Sequence, residues 1–390
     1  MKTRCWGIGV LIVLILVFTS VALASKEAGS KRVIAHTEKE VNDALQKGCK
    51  KITDAKTLTA LECDENVASS LGLQEDIKVF ALGFKEDASG KNQVSISDYN
   101  ANKQIRADLV QASGNNGNGR KIVVLDTGYN YNHPELTSSY LGGKDFVNND
   151  NDPFDDNGHG SHVAGIITGD GVNANAKGVA PAAGVISGKV LDASGSGYFS
   201  DVVAAIYWAV DGPDGLNGTA DDFKADAISM SLGTSPPYTY KGYCDNVYPD
   251  LTNAIKYARN KGVLVAVAAG NSGSAGVSLP GCISYSTTVA AVDSADRVAS
   301  FSGRGNALDV SAPGVSIFSS WLGNSYATAS GTSMATPMIS GTIALVKYAH
   351  PTYTVTQTEN AILKTAKDLG KAGFDSSYGW GRVDAYAAVK

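Results

Sequence analysis

The spacing of apolar residues from Lys121 onward is typical of an alternating strand and helix domain. Short runs of Val, Ile, Leu and Ala predict strands at 121–125, 184–191, 226–232 and 263–269, and helical spacing predicts helices at 201–210 and 251–260. Near-continuous apolar strands indicate burial on both faces, as in a parallel sheet. The pattern therefore predicts an α/β fold with a doubly wound parallel sheet, whose ligand site lies beyond the carboxyl ends of the strands.

A different pattern precedes this region. Residues 31–82 predict strand, helix, strand, helix and strand at 32–35, 38–47, 51–62, 65–71 and 77–82. That order suits a small α+β unit of the split βαβ, ferredoxin-like type. Residues 85–102 are rich in Asp, Ser, Gly, Asn and Lys, which predicts a linker or an exposed processing region.

The first residues read as an export signal. Lys2 and Arg4 precede an apolar run over 7–18, and Ala-Leu-Ala at 22–24 offers the small residues that a signal peptidase accepts. An uncleaved membrane anchor is the alternative, but the apolar run is shorter than the roughly 20 residues that span hydrocarbon. We expect a signal peptide at 1–24, a propeptide at 25–95, a catalytic domain at 96–390, and a secreted, extracellular protein.

Composition argues against a disordered chain and against a nucleic-acid-binding protein. The 390 residues are 43% hydrophobic and 18% charged, which supports a large folded core rather than disorder. The net charge of -5 and the lack of a long basic run disfavour nucleic acid as the main partner.

Four of the five cysteines fall outside the predicted signal. They form two regional pairs, Cys49 with Cys63 and Cys244 with Cys282. Export implies an oxidising compartment, so each pair is a plausible disulfide. Buried free thiols are the alternative.

Four short motifs fall at predicted strand ends or helix starts. They are DTG at 126–128, HGSHVAG at 159–165, AGN at 269–271 and GTSMATP at 331–337. Singly, each has other interpretations. An aspartic protease would need a second DTG, a zinc site at His159 and His162 lacks a third ligand, and Ser333 could be a helix N-cap outside any G-x-S-x-G elbow.

Together, in identity, order and approximate spacing, the motifs resemble those of the subtilisin-like (subtilase) serine proteases. The resemblance covers residues from about 104 to 381. It implies a serine endopeptidase that forms an acyl-enzyme, with Asp126, His159 and Ser333 as the catalytic triad. In these roles His159 is the base for Ser333, and Asp126 orients the imidazole.

The resemblance also assigns residues around the triad. Asn271 is the expected side-chain donor of the oxyanion hole, with the start of the Ser333 helix supplying further N–H groups; a simple turn is the alternative for Asn271. Substrate is expected to pair with a strand at Ser231, Leu232 and Gly233, and the residues expected to line the pocket with Gly233 are Ala269 and Gly270. No acidic residue is aimed into this pocket, so we expect cleavage after large or apolar residues.

The segment 31–82 resembles the subtilase propeptide, an inhibitor and folding chaperone. The enzyme is then a zymogen that cuts its own junction, somewhere between Phe84 and Asn102. Its partners are expected to be protein or peptide substrates and its own propeptide, with no membrane after signal removal and a monomeric mature form. A catalytically silent binding protein and a processing protease of restricted specificity are the alternatives.

Structural calcium is the expected cofactor. The stretch 144–158 is dense in carboxylates and amides whose mutual repulsion a hard cation would relieve. The ligands expected there are Asp145, Asp150, Asp152 and Asp155. By resemblance, a second site would use Glu135 and Asn175, although the family usually has Asp at the first position. An acidic loop over 211–222 is a third candidate, and solvated acidic turns are the alternative for all three.

Overall fold

The computed structural model describes residues 29–85 and 100–390. The predicted signal peptide and most of the predicted linker lie outside the described residues. Within the described ranges, no helix combines the length and apolar character needed to cross a membrane.

A four-stranded antiparallel sheet with two helices forms the N-terminal unit. Its elements are β1 (Ser30–Ala35), α1 (Glu38–Gln46), β2 (Lys50–Asp54), β3 (Thr59–Asp64), α2 (Glu65–Leu71) and β4 (Gln74–Glu75). The strand order β2-β3-β1-β4 is that of the predicted ferredoxin-like fold. The prediction of one strand over 51–62 is wrong, because these residues form the hairpin of β2 and β3 and include its turn.

Alternation along β1 gives this unit two apolar faces. Val33 and Ala35 pack with Leu61 in the unit's own core, while Ile34 between them belongs to a core shared with the larger domain. Successive strand residues point to opposite faces, so one short strand serves both cores. The N-terminal unit is therefore fixed to the larger domain by its sheet.

Two short strands continue the chain across the larger domain, β5 (Lys78–Ala81) and β6 (Phe84–Lys85). The predicted strand at 77–82 thus exists, but it pairs outside the ferredoxin-like sheet. Its partners β10 and β12 belong to the larger domain.

The larger domain contains the remaining elements. Its strands are β7 (Lys121–Asp126), β8 (Tyr140–Asp145), β9 (Gly184–Lys189), β10 (Ser196–Tyr198), β11 (Ala227–Met230), β12 (Leu232–Gly233), β13 (Thr239–Tyr240), β14 (Leu264–Ala268), β15 (Val277–Ser278), β16 (Thr287–Val292), β17 (Val310–Pro313), β18 (Ile317–Ser320) and β19 (Tyr326–Ser330). Its helices are α3 (Ala101–Gln104), α4 (Ala107–Ala112), α5 (His159–Thr168), α6 (Phe199–Asp211), α7 (Pro249–Asn260), α8 (Thr332–Ala349), α9 (Val355–Lys364) and α10 (Ala385–Ala388), with 3₁₀ turns at Ala174–Ala176 and Gly273–Ala275.

A seven-stranded parallel sheet lies at the centre of this domain, in the order β17-β16-β14-β11-β7-β9-β8. Along β7, Ile122 and Val124 pack with α5 and α8, whereas Val123 and Leu125 pack with α6 and α7. Helices thus cover both faces, which confirms the predicted doubly wound α/β fold. The strand order reverses at β7, so Asp126 ends the strand beside the expected ligand crevice.

Both predicted disulfides are present. Cys49 and Cys63 are bonded within the N-terminal unit, and Cys244 and Cys282 within the larger domain. The second bond closes a loop that contains Asn271.

Candidate active site

A buried carboxylate and a buried imidazole meet at the carboxyl end of β7. Asp126 is its last residue, and His159 begins α5. Nδ1 of His159 lies 2.7 Å from Oδ1 of Asp126, which also accepts the Thr127 N–H at 2.8 Å. Burial lowers the pKa of His159, but the charge and hydrogen bond of Asp126, with a smaller contribution from Asp155, leave this pKa above its usual value.

Ser333 is the second residue of α8, after Gly331. Its hydroxyl donates to the Ser231 carbonyl at 2.9 Å, and the Ser231 hydroxyl donates in turn to the Ser333 carbonyl at 2.9 Å. Nε2 of His159 has no hydrogen-bond partner within the described part of the chain. The Ser333 hydroxyl is thus bonded to Ser231, the residue before β12, and not to His159. Gly83 lies beside the imidazole instead.

The amide of Asn271 is held in one orientation. Its Oδ1 accepts the N–H of Thr332 at 3.0 Å and the hydroxyl of Thr332 at 2.9 Å. Nδ2 is therefore directed away from α8, and it donates to the carbonyl of Leu82. The predicted oxyanion-hole donor thus donates its hydrogen bond to a backbone carbonyl of the chain itself.

The chain's own segment 78–83 lies in the cleft as an extended peptide. Strand β5 pairs antiparallel with β10 on one side and with β12 on the other. The N–H of Leu82 donates to the Ser231 carbonyl at 3.3 Å, the same acceptor that the Ser333 hydroxyl uses. Beyond Gly83, β6 pairs with β19 just ahead of α8.

The Leu82–Gly83 peptide bond lies where these groups converge. A methyl group added to Gly83 would stand 3.0 Å from Nε2 of His159 and 3.0 Å from the Met334 side chain. One added to Gly331 would collide with the Leu82 carbonyl oxygen, and one added to Gly233 would stand 2.7 Å from the Leu82 side chain. The glycines at 331 and 233 therefore leave the space that this carbonyl and this side chain occupy.

The other expected pocket residues have supporting contacts. Gly270 has φ +94° and donates its N–H to the Thr332 hydroxyl at 3.1 Å, and a side chain on it would collide with Ser278. Ala269 is fully buried in the core with α6 and α7. Their described contacts hold the loop that carries Asn271.

The carboxylates of the four aspartates of the first expected calcium site each accept hydrogen bonds from protein donors. Asp145 accepts from residues 147 and 148, Asp150 from the N–H of Asp152, and Asp152 from the Tyr131 hydroxyl. Both oxygens of Asp155 are saturated by protein donors. The described residues contain no group of three acidic, His or Cys side chains able to hold a metal ion. No three of these four carboxylates are therefore brought together around one point in the described part of the chain.

The second expected site is occupied by protein donors in a similar way. The buried carboxylate of Glu135 accepts the N–H groups of residues 171, 172 and 173 and the hydroxyl of Tyr326. The N–H of Asn175 donates to the Asn173 side chain at 3.1 Å, so Asn175 helps to shape the same loop. Four donors use the lone pairs that a calcium ion would need.

His162, the other histidine of its motif, is a core residue. Nε2 lies 3.1 Å from the carbonyls of Ile317 and Ala327, and burial, assisted by the charge of His159, lowers the pKa of His162 to about 3. A neutral, buried ring explains its place in the motif without a zinc ion.

Sequence reasoning missed two parts of this site. Strand β10 forms the second wall of the cleft, and Thr332 orients Asn271. The Ser-Gly-Ser-Gly run at 194–197 begins five residues after the end of β9. It was the available signal for β10, because it follows the carboxyl end of a sheet strand. Thr332 lies within the GTSMATP motif, but its local sequence did not indicate a bond to Asn271.

The fold and the site together define a class of enzyme. A buried Asp–His pair, a serine at a helix start and an amide on a peptide carbonyl are the groups that acyl transfer by a serine requires. The protein is a hydrolase, a serine protease.

Comparison with known proteins gives the family. The model of the Subtilase family matches residues 117–381. The chain is 40% identical to the Thermophilic serine proteinase of Bacillus sp. (strain AK1) over 272 residues, which is 70% of this chain and 62% of that protein. It is 33% identical to the Alkaline protease of Shouchella clausii over 95% of this chain and 94% of that one, and 32% identical to Subtilisin J of Geobacillus stearothermophilus over 100% of both. The chain belongs to the subtilase family.

Proposed function

We propose that the protein is a secreted serine endopeptidase, made as a self-processed zymogen, with Asp126, His159 and Ser333 as its triad. Nε2 of His159 takes the Ser333 proton as Oγ attacks the scissile carbonyl carbon, and the imidazolium then protonates the leaving amine. His159 then takes a proton from water as the water oxygen attacks the acyl ester. The imidazolium returns this proton to Oγ of Ser333 as the acid product is released. Asp126 keeps Nδ1 protonated and stabilises the imidazolium without itself taking the proton.

The Leu82 carbonyl carries this proposal. It accepts from Nδ2 of Asn271 and lies against Gly331 at the start of α8, where developing oxyanion charge meets a side-chain donor and the positive end of a helix. In a subtilisin, loss of one such donor costs about 2.7–4 kcal/mol of transition-state stabilisation. We assign the same role, donation to the developing oxyanion, to Asn271.

We propose Leu82–Gly83 as the bond that the enzyme cuts in its own precursor. This bond lies just before the range 84–102 in which the junction was expected. Strand pairing on both edges of β5, the Asn271 contact and the approach of Gly83 to His159 support the choice. The propeptide would then end at Leu82, and the mature enzyme would begin at Gly83.

Ion pairs support an inhibitory role for the N-terminal unit. Arg32, with a side chain 12% exposed, lies 2.9 Å from Asp76 and 2.6 Å from Asp201 of α6. Lys56 lies 2.8 Å from Asp211 at the end of the same helix. Asp76 also accepts the N–H and the hydroxyl of Ser200, near the start of α6, which lacks a side-chain cap of its own. These contacts hold the unit over the cleft, with β5 in the position of a substrate.

The occupant of the cleft indicates the substrate class. Leu82 is nearly buried beside Gly233, and Val79, three residues earlier, is fully buried in the core with α6 and α7. An extended peptide with apolar residues at these two positions is the substrate that this geometry favours.

Replacement of the proposed nucleophile tests the function. Purified Ser333→Ala should stay as uncut precursor, while the unchanged chain should release an enzyme whose N-terminal sequence begins at Gly83. Leu82→Asp, which puts a charge into the apolar pocket, is expected to slow the cut in an otherwise unchanged chain. Maturation of Ser333→Ala with no other protease present would refute the triad assignment; a different mature N-terminus would refute only the proposed bond.

A further inference from the structure

The carboxylate of Asp155 is fully buried and accepts hydrogen bonds from the neighbours of both Asp126 and His159. Oδ1 accepts the hydroxyl of Thr127 at 2.9 Å and the N–H groups of Asn157 and Gly158 at 3.0 and 2.9 Å. Oδ2 accepts the N–H and the hydroxyl of Ser161 at 2.8 and 2.6 Å. One carboxylate therefore satisfies five donors.

These donors belong to two different elements. Thr127 directly follows Asp126 at the end of β7, whereas Gly158 and Ser161 flank His159 in the first turn of α5. The strand end and the helix start carry the two members of the Asp–His pair. Asp155 joins them through a single rigid group.

Thr127 is fixed from further directions. Its hydroxyl accepts the N–H of Gly160 at 2.9 Å, and its carbonyl accepts from the buried ammonium of Lys189 at 2.6 Å. Lys189 also pairs with Asp156, the neighbour of Asp155, at 2.6 Å. The strand end beside Asp126 is thus tied to the loop before α5 by two independent connections.

We propose that Asp155 is a positioning residue, whose carboxylate sets the separation and orientation of Asp126 and His159 by bracing Thr127 against the first turn of α5. The proposal rests on the catalytic roles given above to Asp126 and His159. It assigns the charge of Asp155 a purpose other than cation binding.

Asp155→Asn is the least disruptive change to this brace. The amide keeps the shape of the side chain, but its NH₂ faces donors where the carboxylate accepted them, so at least one donor loses its partner in a buried site. The two elements then separate or rotate. Since a displacement of about 1 Å in a catalytic array costs about 100-fold in rate, we expect kcat to fall by about 10-fold to 100-fold.

Thr127→Val gives a second, independent variant. It keeps the side-chain shape and the Asp155 carboxylate but removes the hydroxyl that links them. Asp368→Asn is the matched control, because it neutralises an exposed carboxylate whose described partner is the N–H of Gly373, outside the brace. Each precursor is matured with trace tagged wild-type enzyme, which is then removed, and kcat is referred to active sites titrated with a serine-directed phosphonate.

A positioning role predicts that kcat falls in Asp155→Asn and Thr127→Val while KM changes by less than about 3-fold, because the bound peptide pairs with β10 and β12 rather than with this loop. The double variant should lose less than the product of the two single losses, since both remove one link. Asp368→Asn should match the wild type.

Folded Asp155→Asn with an unchanged kcat per titrated site would overturn the proposal. A double variant whose loss equals the product of the two single losses would also overturn it. If Asp155→Asn does not fold, Thr127→Val decides alone, and an unchanged kcat there is equally adverse. Failure of the proposed function is seen separately, through maturation of Ser333→Ala.

Discussion

His159 presents its two ring nitrogens to different partners. Nδ1 is bonded to Asp126, whereas Nε2 faces the Leu82–Gly83 bond. A base in this position works only as the neutral imidazole. With His159 as the proposed base, the balance between burial and the Asp126 charge should set the pH at which the enzyme becomes active.

The pH dependence of kcat/KM tests that balance. Burial lowers the pKa of His159, but the Asp126 carboxylate outweighs it and the net shift is upward. Activity should therefore rise with pH, with a midpoint above the ordinary histidine value of about 6.5. Asp126→Asn removes the charge, so the midpoint should move to lower pH and kcat should fall by about 10⁴-fold.

The exposed carboxylate of Asp368 provides the control. Asp368→Asn should leave both the midpoint and kcat unchanged, because this exposed carboxylate has the N–H of Gly373 as its described partner and none of the proposed triad residues. A midpoint that stays fixed in Asp126→Asn, measured between about pH 5 and pH 10, would contradict the stated origin of the shift.

Some of the site could be predicted from single residues and some could not. Asp126, His159, Asn271 and Ser333 stand in motifs that carry their chemistry in their own sequence. The brace at Asp155 could not be found in this way, because its donors come from Thr127 and Ser161 and their approach depends on the folded sheet and helix.

At the scale of elements, burial explains which strands were predictable. The four predicted strands are apolar runs inside the sheet, whereas β8 and β17 lie at its edges. β8 contains two glycines and ends in Lys144 and Asp145, so it has no apolar run to detect. β16 is an inner strand that was not predicted, although residues 287–292 are all buried and include an apolar run.

The contact of β1 with α6 provides an element-scale prediction. Arg32→Gln leaves Asp76 and Asp201 buried without their cation. Removal of one partner from a buried ion pair costs about 3–5 kcal/mol of stability. The cleaved N-terminal unit should then leave the enzyme sooner. Peptide hydrolysis should appear with a shorter lag after the precursor is allowed to mature.

Lys31→Gln is the matched control on the same strand. Lys31 pairs with Glu75 in a bridge whose side chains are 38% and 63% exposed, so its loss should change the lag little. Equal lags for Arg32→Gln and Lys31→Gln would argue against the buried network as the hold on the enzyme.

At the scale of the molecule, the two disulfides should act on different forms. Cys244→Ser with Cys282→Ser should lower the free energy of unfolding of the mature enzyme by about 2–4 kcal/mol, because the bond restricts the unfolded loop around Asn271. Cys49→Ser with Cys63→Ser should affect only the precursor, since the proposed cut would remove this bond together with the N-terminal unit. Denaturant unfolding of the precursor and of the mature enzyme tests both expectations. Equal losses of stability in the mature enzyme for the two cysteine pairs would contradict them.

Calcium binding stays a prediction. A cation that binds only the folded state stabilises it by mass action, so excess chelator should lower the melting temperature of inactive Ser333→Ala. Glu135→Gln should be destabilised with or without calcium, because its carboxylate already satisfies four protein donors. Coincident melting curves with calcium and with chelator would count against any structural calcium.

Strand β5 reaches the cleft as part of the chain that it blocks, and this connection decides how latency responds to dilution. Before the proposed cut, the local concentration of the blocking strand is set by its tether and is the same in a dense or a dilute solution. After the cut, the blocker is a separate molecule, and occupancy of the cleft follows the total protein concentration. A crowded site of secretion would then keep the enzyme silent, and diffusion into the surroundings would be the event that switches it on.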